Sequence, residues 1–264
     1  MKSFIFKYRC TKETHLPRSN GYMVYSALCR WVQGTDLEFD FHTADGPPPY
    51  AISDMISGDG SSLSIDWSSP KVILKPGDWA FFRLSLLTPE MERSFVDTVA
   101  PRDITIANQP EMVLDSILGP GSSPLAMSIS SEALFAGAPE AKDITLAFRS
   151  PAGFNSQGRQ IPFPMPELVF SSLLWRWRRF FNDDRWSGLE DRLSQINISR
   201  YDLKSVVANG KGGAMHKGCV GRCRYDLKPL SLVDRKAIHC LGAFGAFAGV
   251  GYKTGQGLGQ VEVL

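Results

Sequence analysis

The chain has 264 residues, of which 43% are hydrophobic and 21% charged, a balance that excludes general disorder and suits one large or two smaller domains. The formal net charge of +2 hides an asymmetry, since residues 1–140 carry 11 basic and 17 acidic side chains (net −6) and residues 141–264 carry 18 basic and 10 acidic (net +8). The basic second half fits a polyanionic partner, although a solvated basic face would have the same composition.

Neither a membrane span nor a secretion signal is expected from the sequence. No apolar run approaches the roughly 18 residues that a span needs, and the apolar core of residues 1–7 is too short for a signal peptide. The five cysteines, an odd number, favour reduced thiols. The sequence therefore predicts a cytoplasmic protein with no membrane partner.

In the first half, β-favouring residues predict a strand over 3–9, and apolar spacing predicts a helix over 21–32. A second helix is expected over 89–99, where Pro89 suits a first helical turn. Glycine- and proline-rich turns separate the remaining predicted strands, which are 37–42, 50–56, 62–66, 71–75, 79–87, 103–107 and 112–117.

Residues 119–124 form the best candidate linker. The second half, like the first, consists of predicted strands interleaved with helices. Strands are expected at 143–149, 196–208, 217–226 and 260–264, and helices at 166–181, 187–195 and 231–247. The sequence thus predicts an α+β protein with domains 1–124 and 125–264, each holding two principal helices.

A glycine-rich loop over 249–259 is the sharpest local feature, with five glycines around Lys253. Glycine lets backbone N–H groups approach a phosphate closely. A Rossmann fingerprint needs a following helix, and a Walker loop needs glycine directly before Lys-Thr, where Tyr252 stands instead. The loop is therefore either a phosphate-binding segment of another kind or a tight turn between a helix and a strand.

The pattern Gly249-x-Gly251, five residues, then Gly257-x-Gly259 resembles the C-terminal signature of the RAMP superfamily, and more narrowly that of the CRISPR repeat-processing endoribonucleases. Other stretches are similar to that family in the same order along the chain. They are Leu16-Pro17 with Gly21-Tyr22, Phe41-His42 with Gly46-Pro47 and Tyr50 to Ser53, the segment 148–154, and the segment 166–170.

This resemblance implies two tandem ferredoxin-like (RRM-like) domains that cut CRISPR repeat RNA without a metal or cofactor. Attack by a 2′-hydroxyl would give a 2′,3′-cyclic phosphate and mature crRNA. The implied partners are a repeat hairpin and other subunits of a CRISPR effector complex. The glycine loop would bind the RNA backbone through Gly249, Gly251, Lys253, Gly257 and Gly259.

Metal-free cleavage needs groups that move protons near neutral pH, which suits histidine. The resemblance places the catalytic histidine at His42, and the alternative is a strand-end histidine that pairs with Asp45. Where some family members carry tyrosine and lysine, this chain has Cys29 and Pro48. The assisting groups are therefore sought among Tyr22, Tyr25 and Arg30 on the first helix.

Basic residues of the second half are candidates for RNA binding, or else form a solvated basic face. Arg176, Arg178 and Arg179 lie among aromatics on the helix 166–181. A second basic cluster is Lys211, Lys217, Arg222, Arg224 and Lys228, in which the last three would share one face of a strand. His15 and His239 are less favoured than His42 as the catalytic histidine. We interpret His15 as a loop residue and His239 as a packing residue.

Two rival functions stay open. The same fold could serve as a non-catalytic RNA-binding subunit of an effector complex. The spacing of His216, Cys219 and Cys223, with His239-Cys240 further on, allows a zinc enzyme, but the paired Cys-x-x-Cys knuckles of strong zinc sites are missing.

Overall fold

The computed structural model describes residues 1–38, 46–99 and 112–264. Contacts divide the chain into two units, Met1–Ser128 with Gly255–Gly257, and Ile129–Thr254 with Leu258–Leu264. Within the described ranges, every helix is too short or too polar to cross a membrane.

The described part of the first unit contains seven strands and two helices. In chain order they are β1 (Lys2–Cys10), β2 (Thr14–Pro17), α1 (Gly21–Val32), β3 (Tyr50–Ile52), β4 (Ile56–Ser57), β5 (Lys71–Leu74), β6 (Trp79–Leu86), α2 (Pro89–Thr98) and β7 (Met112–Leu118). The main sheet is antiparallel in the order β3-β6-β1-β7. With both helices on one face, this is the βαββαβ arrangement of a ferredoxin-like domain.

Alternation along β1 explains how the helices attach to this sheet. Phe6 and Tyr8 are buried against the helical layer, where Phe6 lies 5.6 Å from Trp31 of α1 between ring centroids. The start of α2 is fixed by Thr88, whose hydroxyl accepts a hydrogen bond from the Met91 N–H. Packing of amphipathic helices on alternating strands thus builds the first core.

The strand predicted at 62–66 is wrong, because this segment is irregular in the structure. Its alternating pattern has a different cause: Leu63 is buried in a small cluster with Ile5 and Phe81 on the other face of the sheet. A covering loop can therefore mimic the period of a strand.

The second unit repeats the topology. Its elements are α3 (Ser131–Gly137), β8 (Asp143–Ala152), β9 (Phe154–Ser156), β10 (Arg159–Ile161), α4 (Pro166–Phe181), β11 (Asn197–Asn209), β12 (Met215–Asp226), α5 (Leu232–Ala248) and β13 (Val261–Val263). The antiparallel sheet has the order β11-β12-β8-β13. Its core includes Trp177 of α4 and Phe244 of α5, whose ring centroids are 5.5 Å apart. The predicted pair of ferredoxin-like domains is confirmed.

The strand predicted at 50–56 is instead two short strands, β3 and β4, with irregular residues 53–55 between them, and most other predicted elements are present with small shifts of their ends. The helix predicted at 187–195 is instead a short 3-10 turn over Glu190–Gln195. The short elements β2, α3, β9 and β10 were not predicted. Residues 39–42 of the predicted strand 37–42, and the predicted strand 103–107, lie outside the described residues.

Candidate functional site

The first turn of α1 is organised by a buried carboxylate, Asp54. Its Oδ1 accepts hydrogen bonds from the backbone N–H groups of Asn20 (2.7 Å) and Gly21 (2.6 Å). Its Oδ2 is buried and has no hydrogen-bond partner among the described residues. Burial raises the pKa of Asp54 to about 7, against the lowering effect of the two N–H donors. Asp54 therefore caps the helix that carries the candidate tyrosines.

Replacing Asp54 with asparagine is expected to remove a pH-dependent part of the stability. Because the folded pKa lies above the unfolded one, the carboxyl group stabilises the fold fully below pH about 4, and this contribution is lost as the pH rises through about 7. We expect the stability of wild type relative to Asp54→Asn to fall by about 1–3 kcal/mol between pH 5 and pH 8. Denaturant titrations of both proteins at the two pH values measure the difference in their free energies of unfolding. If this difference were the same at both pH values, the raised pKa of Asp54 would be contradicted.

Tyr22 and Tyr25 lie close together on α1, with ring centroids 5.9 Å apart, and both are half-buried. Tyr25 bonds the Cys29 thiol, and burial, followed by this bond, raises the pKa of the phenol far above its usual value. Tyr25 therefore stays a neutral phenol near pH 7. It can donate a hydrogen bond but cannot take a proton from a 2′-hydroxyl.

Arg30 and Cys29 occupy the other end of α1. Arg30 is exposed in the last turn, eight residues after Tyr22, which corresponds to about 12 Å along the helix axis. Burial raises the pKa of the Cys29 thiol, which keeps it protonated. The structure thus brings the two tyrosines together and separates Arg30 from the first helical turn.

His42 and its alternative partner Asp45 lie outside the described residues. Among the other histidines, His15 is exposed on β2 and contacts Glu13 through Nε2 at 2.8 Å. His239 is buried, with Nε2 3.3 Å from the Ala141 carbonyl oxygen, so it is a packing residue as expected.

The tip of the glycine loop meets the first turn of α1. Residues 255–257 belong to the first unit by their contacts, and a Cβ on Gly257 would overlap the Cα of Gly21. Gly257 also has a positive φ of 90°, which favours glycine. Both glycines are therefore required by a close approach of two backbones, which places residues 255–257 beside the first turn of α1.

The base of the glycine loop is bound by the second unit rather than open to a ligand. The N–H of Gly249 donates to the Gly245 carbonyl, that of Gly251 to the Ser172 hydroxyl (3.3 Å), and that of Gly259 to the Pro151 carbonyl (3.0 Å). The prediction that these three glycines offer N–H groups to a phosphate is therefore wrong. Lys253 stands at the centre of the loop with a positive φ of 58°.

The three arginines of α4 have three different environments. Arg176 is 4% exposed and donates to three loop carbonyls, so the prediction that it binds phosphate directly is wrong. Arg178 pairs with Glu190 and with Asp184, the latter at 2.7 Å. Arg179 is exposed and stays a candidate for RNA binding. The helix thus presents less free positive charge than its sequence indicates.

The open face of the second sheet carries the remaining basic candidates. Arg222 and Arg224 share one face of β12, as predicted, and line a shallow groove of about 420 Å³ with Arg200 and Tyr201 of β11. Arg224 is also paired with Asp143 at 2.8 Å. Lys217 is exposed nearer the start of β12, whereas Lys228 lies beyond the end of the strand and does not share its face as predicted.

The residues of the zinc alternative are buried. Burial raises the pKa of Cys219 to about 12 and that of Cys223 to about 11, so both stay thiols. His216 lies against Tyr252 of the glycine loop, 5.6 Å between ring centroids, and its pKa is lowered by burial and by Lys253. Across residues 1–38, 46–99 and 112–264, no group of three His, Cys, Asp or Glu side chains is arranged to hold a metal ion.

The sequence analysis did not identify two features of the site. They are the helix-capping role of Asp54 and the inward direction of the Arg176 side chain. Asp54 directly follows the segment 50–53, which already resembled the family, so its position was a usable signal. Arg176 is three residues after Leu173 and next to Trp177, which places it on the apolar face of α4.

Comparisons with known proteins agree with this architecture. The family model described as CRISPR-associated endoribonuclease Cas6 matches residues 146–261. A curated CRISPR-associated endoribonuclease Cas6 from Streptococcus thermophilus is 28% identical over 126 residues, which cover 45% of this chain and 49% of that protein. The match thus spans about half the length of the curated relative.

Similarity to solved structures extends along the whole chain. A Cas6 product complex matches with a TM-score of 0.78 and 22% identity, covering 100% of this chain and 98% of the other. A histidine-to-alanine mutant of Cas6 matches with a TM-score of 0.76 and 21% identity at the same coverage. The resemblance to the CRISPR repeat-processing endoribonucleases is confirmed.

Proposed function

We propose that this chain, which is similar to Cas6 in fold throughout and in sequence over 146–261, is a metal-independent endoribonuclease of CRISPR repeat RNA. Its substrate would be a repeat hairpin in pre-crRNA, its product mature crRNA, and its place of action the cytoplasm. The observation that carries the proposal is the family-model match in the second unit, within a fold that matches Cas6 from end to end.

The proposed reaction is a transesterification within the RNA. The 2′-hydroxyl loses its proton to a base and attacks the adjacent phosphorus, the bond from phosphorus to the 5′-oxygen breaks, and that oxygen takes a proton. The products are a 2′,3′-cyclic phosphate and a 5′-hydroxyl. We assign one of the proton transfers to His42, because histidine is the side-chain type whose ordinary pKa lies nearest to neutral pH.

The tyrosines of α1 are proposed to assist as neutral donors. The pKa of Tyr25 is raised by burial, so its phenol keeps its proton and can only orient or stabilise an oxygen of the scissile phosphate. Tyr22 is its ring neighbour on the same helix. Arg30 is the weaker candidate because it lies two turns along the helix.

The second unit is proposed to bind the repeat stem. A-form RNA is recognised mainly through its phosphates and shape, which suits exposed basic side chains on a sheet. The candidates are Arg179, Lys217, Arg222, Arg224 and Lys253, with Arg200 added by the groove that it shares with Arg222.

The alternative is a non-catalytic RNA-binding subunit of an effector complex. Cys29 stands where some family members have a catalytic tyrosine, and its raised pKa makes the thiol a poor substitute in acid–base chemistry. Labelled repeat RNA incubated with the protein and EDTA separates the two functions. Cutting at one position in EDTA supports the endoribonuclease, whereas binding without cutting supports the subunit.

A further inference from the structure

A buried guanidinium lies directly under the glycine loop. Arg176 of α4 donates from Nη1 to the carbonyls of Ala248 (2.6 Å) and Gly249 (3.2 Å), and from Nη2 to the carbonyl of Gly251 (2.8 Å). One planar side chain thus links the end of α5 with the first residues of the loop, more than 70 residues away in sequence.

The charge of Arg176 is balanced by carbonyl dipoles. Burial lowers the pKa of the guanidinium to about 10, so it is still protonated at neutral pH. No carboxylate pairs with it in the part of the chain that the structure describes. A buried cation is unfavourable without such compensation, and the three carbonyls are oriented inward to supply it.

The path of the loop depends on these inward carbonyls. Gly249 and Gly251 have positive φ values of 70° and 75°, and Gly251 approaches the Gly153 carbonyl so closely that a Cβ would overlap it. The Tyr252 N–H then donates to the Gly153 carbonyl at 3.1 Å. Without the guanidinium, two buried carbonyls and one partly buried carbonyl would lack this donor, and this path would lose its anchor.

We propose that Arg176 is a positioning residue, which holds the glycine loop in the conformation that binds repeat RNA without touching the RNA itself. The part of this inference that concerns RNA binding rests on the proposed function. It differs from a direct phosphate contact because the side chain is 4% exposed and its donors point to the protein backbone.

Arg176→Lys tests this role, because lysine keeps the charge but cannot span three carbonyls with a planar fork. Amide hydrogen exchange of residues 249–253 is expected to accelerate about ten-fold, while exchange in the middle of α4 and α5 is unchanged. The dissociation constant for a repeat RNA with a 2′-deoxy at the cut is expected to rise about ten-fold.

Arg235→Lys is the matched control. Arg235 also donates to two backbone carbonyls in the same unit, those of Leu227 (3.1 Å) and Lys228 (2.8 Å), but away from the loop. It should leave both loop exchange and RNA affinity at their wild-type values. Arg176→Met removes the charge and all three hydrogen bonds, so it should accelerate amide exchange of the loop further. If Arg176→Met does not fold, the result for Arg176→Lys alone tests the proposal.

Several results would overturn the proposal. They are wild-type loop exchange in Arg176→Lys, wild-type RNA affinity despite a loosened loop, and a uniform acceleration that includes α4 and α5. If the wild-type protein itself does not bind repeat RNA, the proposed function fails, and loop exchange alone then decides whether Arg176 positions the loop.

Discussion

Replacing His42 with alanine is expected to slow repeat cleavage by about 10²–10⁴-fold, the usual contribution of a general acid or base, while RNA affinity stays near wild type. Among the proposed groups, only a histidine exchanges protons readily near pH 7. Tyr25 cannot replace it, since burial holds its pKa far above neutrality.

Single-turnover cleavage of a labelled repeat, with affinity measured separately, checks this expectation. His15→Ala is the matched control, because His15 is a histidine of the same unit whose exposed side chain contacts Glu13. Wild-type cleavage by His42→Ala would remove the histidine from the mechanism. Equal losses in both variants would mean that the substitution acts through the fold.

Replacing Gly251 with alanine is expected to destabilise the second unit by about 2–5 kcal/mol, because a strained backbone and a steric overlap act together. Its φ is 75°, and an added Cβ would overlap the Gly153 carbonyl oxygen. The displaced segment includes the carbonyl bonded by Arg176, so repeat RNA should also bind more weakly.

Gly158→Ala separates the two effects. Gly158 has the same φ of 75° in the same unit, but no atom lies within 4 Å of its added Cβ. This control should lose only about 1–2 kcal/mol and keep its RNA affinity. Chemical denaturation of both variants gives the comparison, and equal losses would show that the close approach to Gly153 is unimportant.

The regular elements were predictable because their packing leaves a period in the sequence. Helices α1 and α4 and the central strands bury one face each, so apolar spacing locates them. Short elements such as β9 and β10 bury little and were missed. The segment 62–66 was mistaken for a strand because Leu63 and Ile65 cover a sheet from outside.

The position of the glycine loop was predictable from the sequence, but the hydrogen-bond partners of its N–H groups were not. Gly251 donates to Ser172 and Gly259 to Pro151, partners that precede them by about 80 and 110 residues. Such long-range bonds leave no local pattern. By contrast, the inward direction of Arg176 was readable from its place on the apolar face of α4.

The central claim, cleavage by a 2′-hydroxyl without metal, is tested most directly by one substitution in the RNA. A repeat with a single 2′-deoxy at the cut is incubated with the protein in EDTA beside the unmodified repeat. We expect the unmodified RNA to be cut to a 2′,3′-cyclic phosphate and the deoxy RNA to be bound but intact. Cutting of the deoxy RNA, or loss of all cutting in EDTA, would contradict the account.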